Sequence, residues 1–304
     1  MKRGIVRLVE DEYVVLDGGM GTLLQESGLS SEYIPEEWNI LHPEAVRDIH
    51  LSYFRAGAQI VETNTFGGSE IKLGMRGKAG RVKELNGAGA RLAVEALKRC
   101  ETEKDDGVQR FVAGSVGPTG QMVGINVTED EVKGAFASQG AVLAENGVDL
   151  FLVETMMDLN EAALALSSLK EETGLPVFLS LVFNRTKKGD YRTLFGNAIG
   201  DSVKRLLDEG ADAVGTNCGL ISEYIEVIGQ MRSLTDAPLI MYPNAGLPKI
   251  KDGVTVFDQT PDYMVSFLDK EIKAGATIIG GCCGTTPEYT RLIAERVKGK
   301  KRSN

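Results

Sequence analysis

Residues 145–155, Glu-Asn-Gly-Val-Asp-Leu-Phe-Leu-Val-Glu-Thr, hold the pattern on which the fold turns. A helical stretch stops at Gly147, since glycine takes the positive φ that ends a helix, and a short apolar run, Asp149–Glu154, follows at once. The run is nearly continuous rather than alternating, as expected of a parallel strand buried on both faces. The same junction recurs at Arg55-Ala56-Gly57-Ala58, Glu209-Gly210-Ala211 and Lys273-Ala274-Gly275-Ala276. Working outward, seven further runs of this kind appear: Tyr13–Leu16, Gln59–Glu62, Arg110–Gly114, Pro176–Val182, Ala213–Thr216, Pro238–Tyr242 and Thr277–Gly280. Between them, residues 43–49, Glu161–Lys170 and Ser202–Leu207 have the period of amphipathic helices. Eight β-then-α units predict an α/β chain folded as a (β/α)8 TIM barrel, one domain over residues 1–304. A doubly wound open sheet is the competing fold. Against it, the first βα turn, Asp17-Gly18-Gly19-Met20-Gly21-Thr22, does not give G-x-G-x-x-G, and no Walker pattern occurs. No linker divides the chain, and the long segment Gly120–Asp130 is expected as a loop over the mouth.

The 304 residues carry a formal net charge of −9. The one basic run, Lys298-Gly299-Lys300-Lys301-Arg302, reads as a solvated end, so no nucleic-acid partner is expected. No apolar run approaches the roughly 18 residues of a membrane span. The first residues lack the apolar core of a signal peptide. The expected location is cytoplasmic, with no membrane partner. Only two histidines occur, His42 and His50, which leaves little for a His-rich metal site or a Ser/His/Asp triad.

Active sites of barrels lie at the C-terminal strand ends. The residues there are unusually polar: Asp17, Asn64, Ser115, Glu154, Asn217, Cys218, Asn244, Cys282 and Cys283. Three of the four cysteines thus share one rim, whereas Cys100 ends a helix and reads as structural. Adjacent side chains on a regular strand point to opposite faces. The flanking Gly280, Gly281 and Gly284 would let the backbone turn and bring Cys282 and Cys283 to one point. Buried packing is the plain alternative for that pair; Cys218 at another strand end favours metal. Three thiolates on Zn²⁺ leave a fourth position open, the catalytic rather than the structural arrangement. Such a centre suits a substrate thiol, which coordination deprotonates outright, and which then attacks a carbon electrophile.

The chain resembles the homocysteine-binding methyltransferase family. The resemblance is carried in order by Asp17–Thr22, Glu62-Thr63-Asn64-Thr65-Phe66-Gly67, Gly114-Ser115-Val116-Gly117-Pro118-Thr119-Gly120, Val153-Glu154-Thr155, Asn217-Cys218 and Gly280-Gly281-Cys282-Cys283-Gly284-Thr285-Thr286-Pro287. It runs from about Val14 to Ala294. It implies a zinc barrel in which Cys218, Cys282 and Cys283 are the ligands and homocysteine is the substrate. It also implies that the Asp17–Thr22 turn (Asp17, Gly18, Gly19, Gly21, Thr22) and Glu154 handle the amino-acid end. Backbone N–H groups suit a carboxylate and a carboxylate suits an ammonium. Asn64 and Ser115 join the expected substrate contacts. The alternatives are a helix cap for Asp17, a rim ion pair for Glu154 and a turn cap for Asn64.

Tyr242-Pro243-Asn244-Ala245-Gly246-Leu247-Pro248 looks like the corresponding run in the homocysteine domain of cobalamin-dependent methionine synthase. By that resemblance Asn244 fills the open zinc position when substrate is absent. The cobalamin, folate and reactivation modules of that enzyme are not expected here. The methyl group is therefore expected from methylcobalamin or a separate corrinoid protein. Small donors are the alternative: S-methylmethionine, S-adenosylmethionine or betaine. Two other classes compete. One is an aldolase or lyase barrel using Asp17 and Glu154 on a hard cation, which leaves the cysteines unexplained. The other is a non-enzymatic zinc module, which would need a fourth protein ligand.

Overall fold

Each of the eight apolar runs forms a strand in one parallel sheet of the computed structural model, which describes residues 4–251, 254–298 and 300. Most of the basic run at 298–302 lies outside the described residues. The strands are β1 (Val14–Val15), β2 (Ile60–Glu62), β3 (Phe111–Val116), β4 (Leu150–Met156), β5 (Val177–Leu181), β6 (Ala213–Asn217), β7 (Leu239–Tyr242) and β8 (Ile278–Ile279). Neighbours run in chain order from β2 to β8, and β8 pairs with β1. The ring closes because Leu16 bridges Ile60 in parallel. There Gln59 N donates to Val15 O at 2.7 Å and Asp17 N to Ile60 O at 3.1 Å. An open sheet would leave those groups unpaired. The fold is a (β/α)8 barrel.

Alternate residues of each strand face inward and outward. Leu16, Ile60, Ala113, Leu152, Phe178 and Ile240 belong to the interior cluster, whereas Val61, Val112, Phe151, Leu179 and Met241 pack into the helical layer. Burial on both faces is why the runs read as continuous. The four expected stop glycines all take positive φ, between 95° and 111°. At Gly57 a Cβ would stand 2.7 Å from that of Ala294, so contact as well as backbone excludes a side chain.

An element absent from the sequence reading closes the barrel floor. Helix α1 (Gly4–Asp11) places Ile5 and Val9 in the interior cluster. Ile5, Val6, Leu8 and Val9 recur at helical spacing, but over little more than two turns. The expected loop at 120–130 ends early, because Thr128 caps the helix Glu129–Glu145 in a box with Glu131. Pro118, just before the segment, is what reaches the cavity wall.

Glu271 is buried among the outer helices, and neither carboxylate oxygen has a partner among the described residues. Burial pushes its pKa up to about 8. The unfolded chain ionises it near its ordinary value of about 4.3. Stability should therefore fall as pH rises between those two values and level off above the folded one, a loss of about 3–4 kcal/mol by neutral pH. Glu271→Met should raise Tm at pH 8 and flatten that part of the profile. A Tm at or below that of the parent, with the slope kept, would sink this account.

Candidate active site and metal centre

The strand ends open into one cavity of about 590 Å³, lined by Asp17, Gly18, Gly19, Gly21, Thr22, Glu62, Asn64, Ser115, Glu154, Cys218, Cys282 and Cys283, among others. The three sulfurs lie within 4.8 Å of one another, with Cys282 and Cys283 Sγ 3.9 Å apart. Both cysteines of the pair stand beyond the end of β8, in a turn, so strand alternation does not apply to them. The glycines there act in two ways. A Cβ on Gly280 would meet Leu16 Cβ at 2.7 Å, and one on Gly281 would meet Thr285 Oγ1 at 2.2 Å. These two let the loop back onto β1 and itself, and only Gly284 (φ 78°) supplies the reversal. Cys218 is itself left-handed, at φ 66°, a conformation that costs a non-glycine residue about 1 kcal/mol or more.

The thiols cannot all ionise unaided. Cys218 is held down to about 3 because Cys282 and Cys283 direct their S–H bonds at it and so stabilise one thiolate. The same bonds push the partners up, Cys283 to about 12. A soft divalent cation would remove this conflict by replacing both protons, so the donor set fits a metal. Asn244 braces the group: its Oδ1 accepts from Cys283 N at 3.0 Å, and its side chain also bonds Cys218. Its acceptor oxygen is thus engaged in this conformation.

Beside the sulfurs stand three carboxylates. Glu154 Oε1 accepts from Ser115 Oγ at 2.5 Å, and Asp17 Oδ2 accepts from Glu62 N at 2.8 Å. Burial raises the pKa of all three acids, Glu154 to about 7. Asp17 Oδ1 and Glu62 Oε1 are buried without a partner among the described residues. Such oxygens call for a cationic donor. Glu62 was not picked out from the sequence, although the strand-end rule that marked Asn64 also reaches it.

The aim of Glu154 depends on an irregularity. The pairing of β4 with β5 shifts between Val153 and Met156, and Thr155 takes φ 59°. A bulge of this kind redirects the neighbouring side chain. Asn217 secures it: its Oδ1 accepts from Thr155 N at 2.9 Å, and its Nδ2 donates to Thr155 Oγ1 at 2.8 Å. The same Nδ2 lies 3.4 Å from Glu154 Oε2 and 3.9 Å from Cys282 Sγ. Asn217 therefore joins the acid group to the sulfur group.

The glycine turn is packed against the cysteine loop. A Cβ on Gly18 would stand 2.6 Å from Thr285 Oγ1, and one on Gly19 2.8 Å from Cys282 O, whereas Gly21 faces open space. Thr22 Oγ1 accepts from Gly284 N at 3.2 Å. Asn64 lines the cavity but directs its amide elsewhere, to Pro35 O at 2.7 Å and Asn39 Oδ1 at 2.9 Å. It braces the segment 35–39, which precedes it in the chain, rather than capping the turn that follows β2.

A model of the homocysteine S-methyltransferase family matches residues 14–297. The chain belongs to this family. It is similar to the homocysteine methyltransferase MmuM from Escherichia coli in three solved forms. The metallated form is 25% identical with a TM-score of 0.81, covering 97% of this chain and 100% of that one. The apo form is 26% identical at 0.75, covering 94% and 96%. The oxidized form is 25% identical at 0.79, covering 93% and 96%. The protein is a methyltransferase. Among the described residues no helix is long and apolar enough to cross a membrane.

Proposed function

We propose that the protein transfers a methyl group to the thiol of homocysteine, giving methionine, with Zn²⁺ held by Cys218, Cys282 and Cys283. The observation that carries this reading is the three-sulfur group in a cavity also lined by three buried carboxylates, of which Asp17 Oδ1 and Glu62 Oε1 lack a donor among the described residues. Four sulfurs around Zn²⁺ at about 2.3 Å stand about 3.8 Å apart, close to the Cys282–Cys283 separation of 3.9 Å. When bound, Zn²⁺ supplies an open fourth position that favours the thiolate form of a substrate thiol. Asp17, Glu62 and Glu154 receive the substrate ammonium, and the Asp17–Thr22 turn takes its carboxylate. Ser115 and Asn217 hold Glu154 in place for this. Asn244 occupies the fourth position in this reading when substrate is away, its Oδ1 then leaving Cys283 N.

The methyl donor in this reading is methylcobalamin or a methylated corrinoid protein. The resemblance of 242–248 supports it, as does the lining of the cavity. A small onium donor is best held by a cage of aromatic faces. Among the described residues Phe66 is the one aromatic lining residue, and Trp38 is buried away from the cavity. Methionine formation by the zinc-loaded protein, with each donor at matched concentration, tests the choice. Methylcobalamin or a methyl-corrinoid protein should outperform S-methylmethionine, S-adenosylmethionine and betaine. Faster turnover with a small donor would refute the corrinoid assignment and leave the homocysteine assignment standing.

A further inference from the structure

The cavity is lined by cations as well as acids. Lys72 and Arg76 line it together with the acids and the sulfurs. Among the described residues neither side chain makes an ion pair or a side-chain hydrogen bond. Their neighbours in sequence behave differently: Lys78 and Arg81 both pair with Glu37, at 2.7 and 2.8 Å. Lys72 is half-buried, and a Cβ on Gly120 would stand 2.9 Å from its Nζ. Loop backbone therefore covers part of an ammonium that has no counter-ion in contact. The carboxylates that act on it from a distance are Glu36 and Glu161. Both have donors of their own. Glu36 Oε1 accepts from Gly67 N at 2.6 Å, and Glu161 Oε1 accepts from Thr119 N at 2.7 Å and from Thr119 Oγ1 at 2.5 Å. A half-buried ammonium gains most from an anion that meets it directly, and Arg76, which is exposed, extends the positive surface toward solvent.

We propose that Lys72 and Arg76 seat an anionic group on the methyl donor. The inference rests on reading the cavity as the site of methyl transfer, and it deepens that reading by naming a chemical requirement on the donor. Of the anionic groups of homocysteine, the Asp17–Thr22 turn receives the carboxylate and the metal the thiolate, so the two cations remain for the second substrate. An oxyanion that both contact could be the phosphodiester of a corrinoid nucleotide loop or the carboxylate of a small onium donor. Either would be held by charge-assisted hydrogen bonds.

The test uses Lys72→Gln and Arg76→Gln, singly and together, in the zinc-loaded full chain, with donor pairs that differ in the anion. Methylcobalamin is compared with methylcobinamide, which lacks the phosphodiester, and S-methylmethionine with trimethylsulfonium, which lacks the carboxylate. KM for the anionic donor should rise about tenfold per cation removed, with kcat changed much less. KM for homocysteine and for the anion-free donors should not follow. Calorimetric binding of cyanocobalamin and of S-methylmethionine gives an arm that needs no turnover, and the responsive probe should weaken by the same factor. Equal effects on the anion-free donors, a rise confined to KM for homocysteine, or no binding of either anionic probe overturns the proposal. If S-methylmethionine responds and methylcobalamin does not, the anion seat stands and the corrinoid reading falls.

Discussion

Cys218→Ala is expected to lower metal affinity on the order of 10³-fold, since roughly 10–16 kcal/mol of zinc binding is shared among few ligands. Methionine formation should fall with it. Cys218 approaches the pair from β6 across 64 positions of sequence, and its Sγ is the one toward which both other thiols direct their S–H bonds. Removing it leaves two sulfurs 3.9 Å apart, which hold a tetrahedral ion poorly. Cys282→Ala and Cys283→Ala should behave alike. Cys100→Ala is the control, because Cys100 is fully buried on the helix Val82–Glu103 and is not among the clustered thiols. Metal content after dialysis, read by mass spectrometry beside a homocysteine methylation assay, decides the matter. Full metal retention in Cys218→Ala would remove the basis of the metal centre.

Glu154→Gln is expected to weaken homocysteine binding by roughly 1.5–3 kcal/mol, the range for hydrogen bonds to charged groups, with metal content unchanged. The substitution keeps the shape of the side chain, and the amide oxygen can still accept from Ser115 Oγ. What it removes is the charge facing a substrate ammonium. Glu62 and Asp17 would remain, so the loss should be partial. Titration of the metal-loaded protein with homocysteine reads the effect directly. Unchanged affinity would make Glu154 a brace for Ser115 and Asn217 rather than a substrate contact.

Much of this architecture is written locally. A strand covered on both faces has no position for a polar alternation, so burial shows as continuous apolar runs, and all eight were legible. The C-terminal ends of those runs in turn marked Asp17, Ser115, Glu154, Cys218, Cys282 and Cys283, all of which line the cavity. Helix α1 was not picked out, because its apolar side chains, Ile5 and Val9 with Val6 and Leu8 beside them, take their meaning from the barrel floor they fill. Asn64 shows what position alone leaves open. Its position on the rim is right, yet its amide is turned to Pro35 and Asn39, a choice that depends on a segment nearly thirty residues earlier.

By itself, then, the sequence determined the number and type of elements, the face of the barrel that bears chemistry and the residue types gathered there. These follow from local burial and backbone preference. Only the tertiary structure decided that the three sulfurs converge, that a bulge held by Asn217 turns Glu154 toward the cavity, and that Glu62 joins Asp17 and Glu154. It alone separated Lys72 and Arg76 from the paired cations beside them. Each of these outcomes rests on contacts through space, such as Gly19 N donating to Thr285 Oγ1 across 266 positions. No local pattern records such a contact, because its energy belongs to the closed barrel and not to either segment.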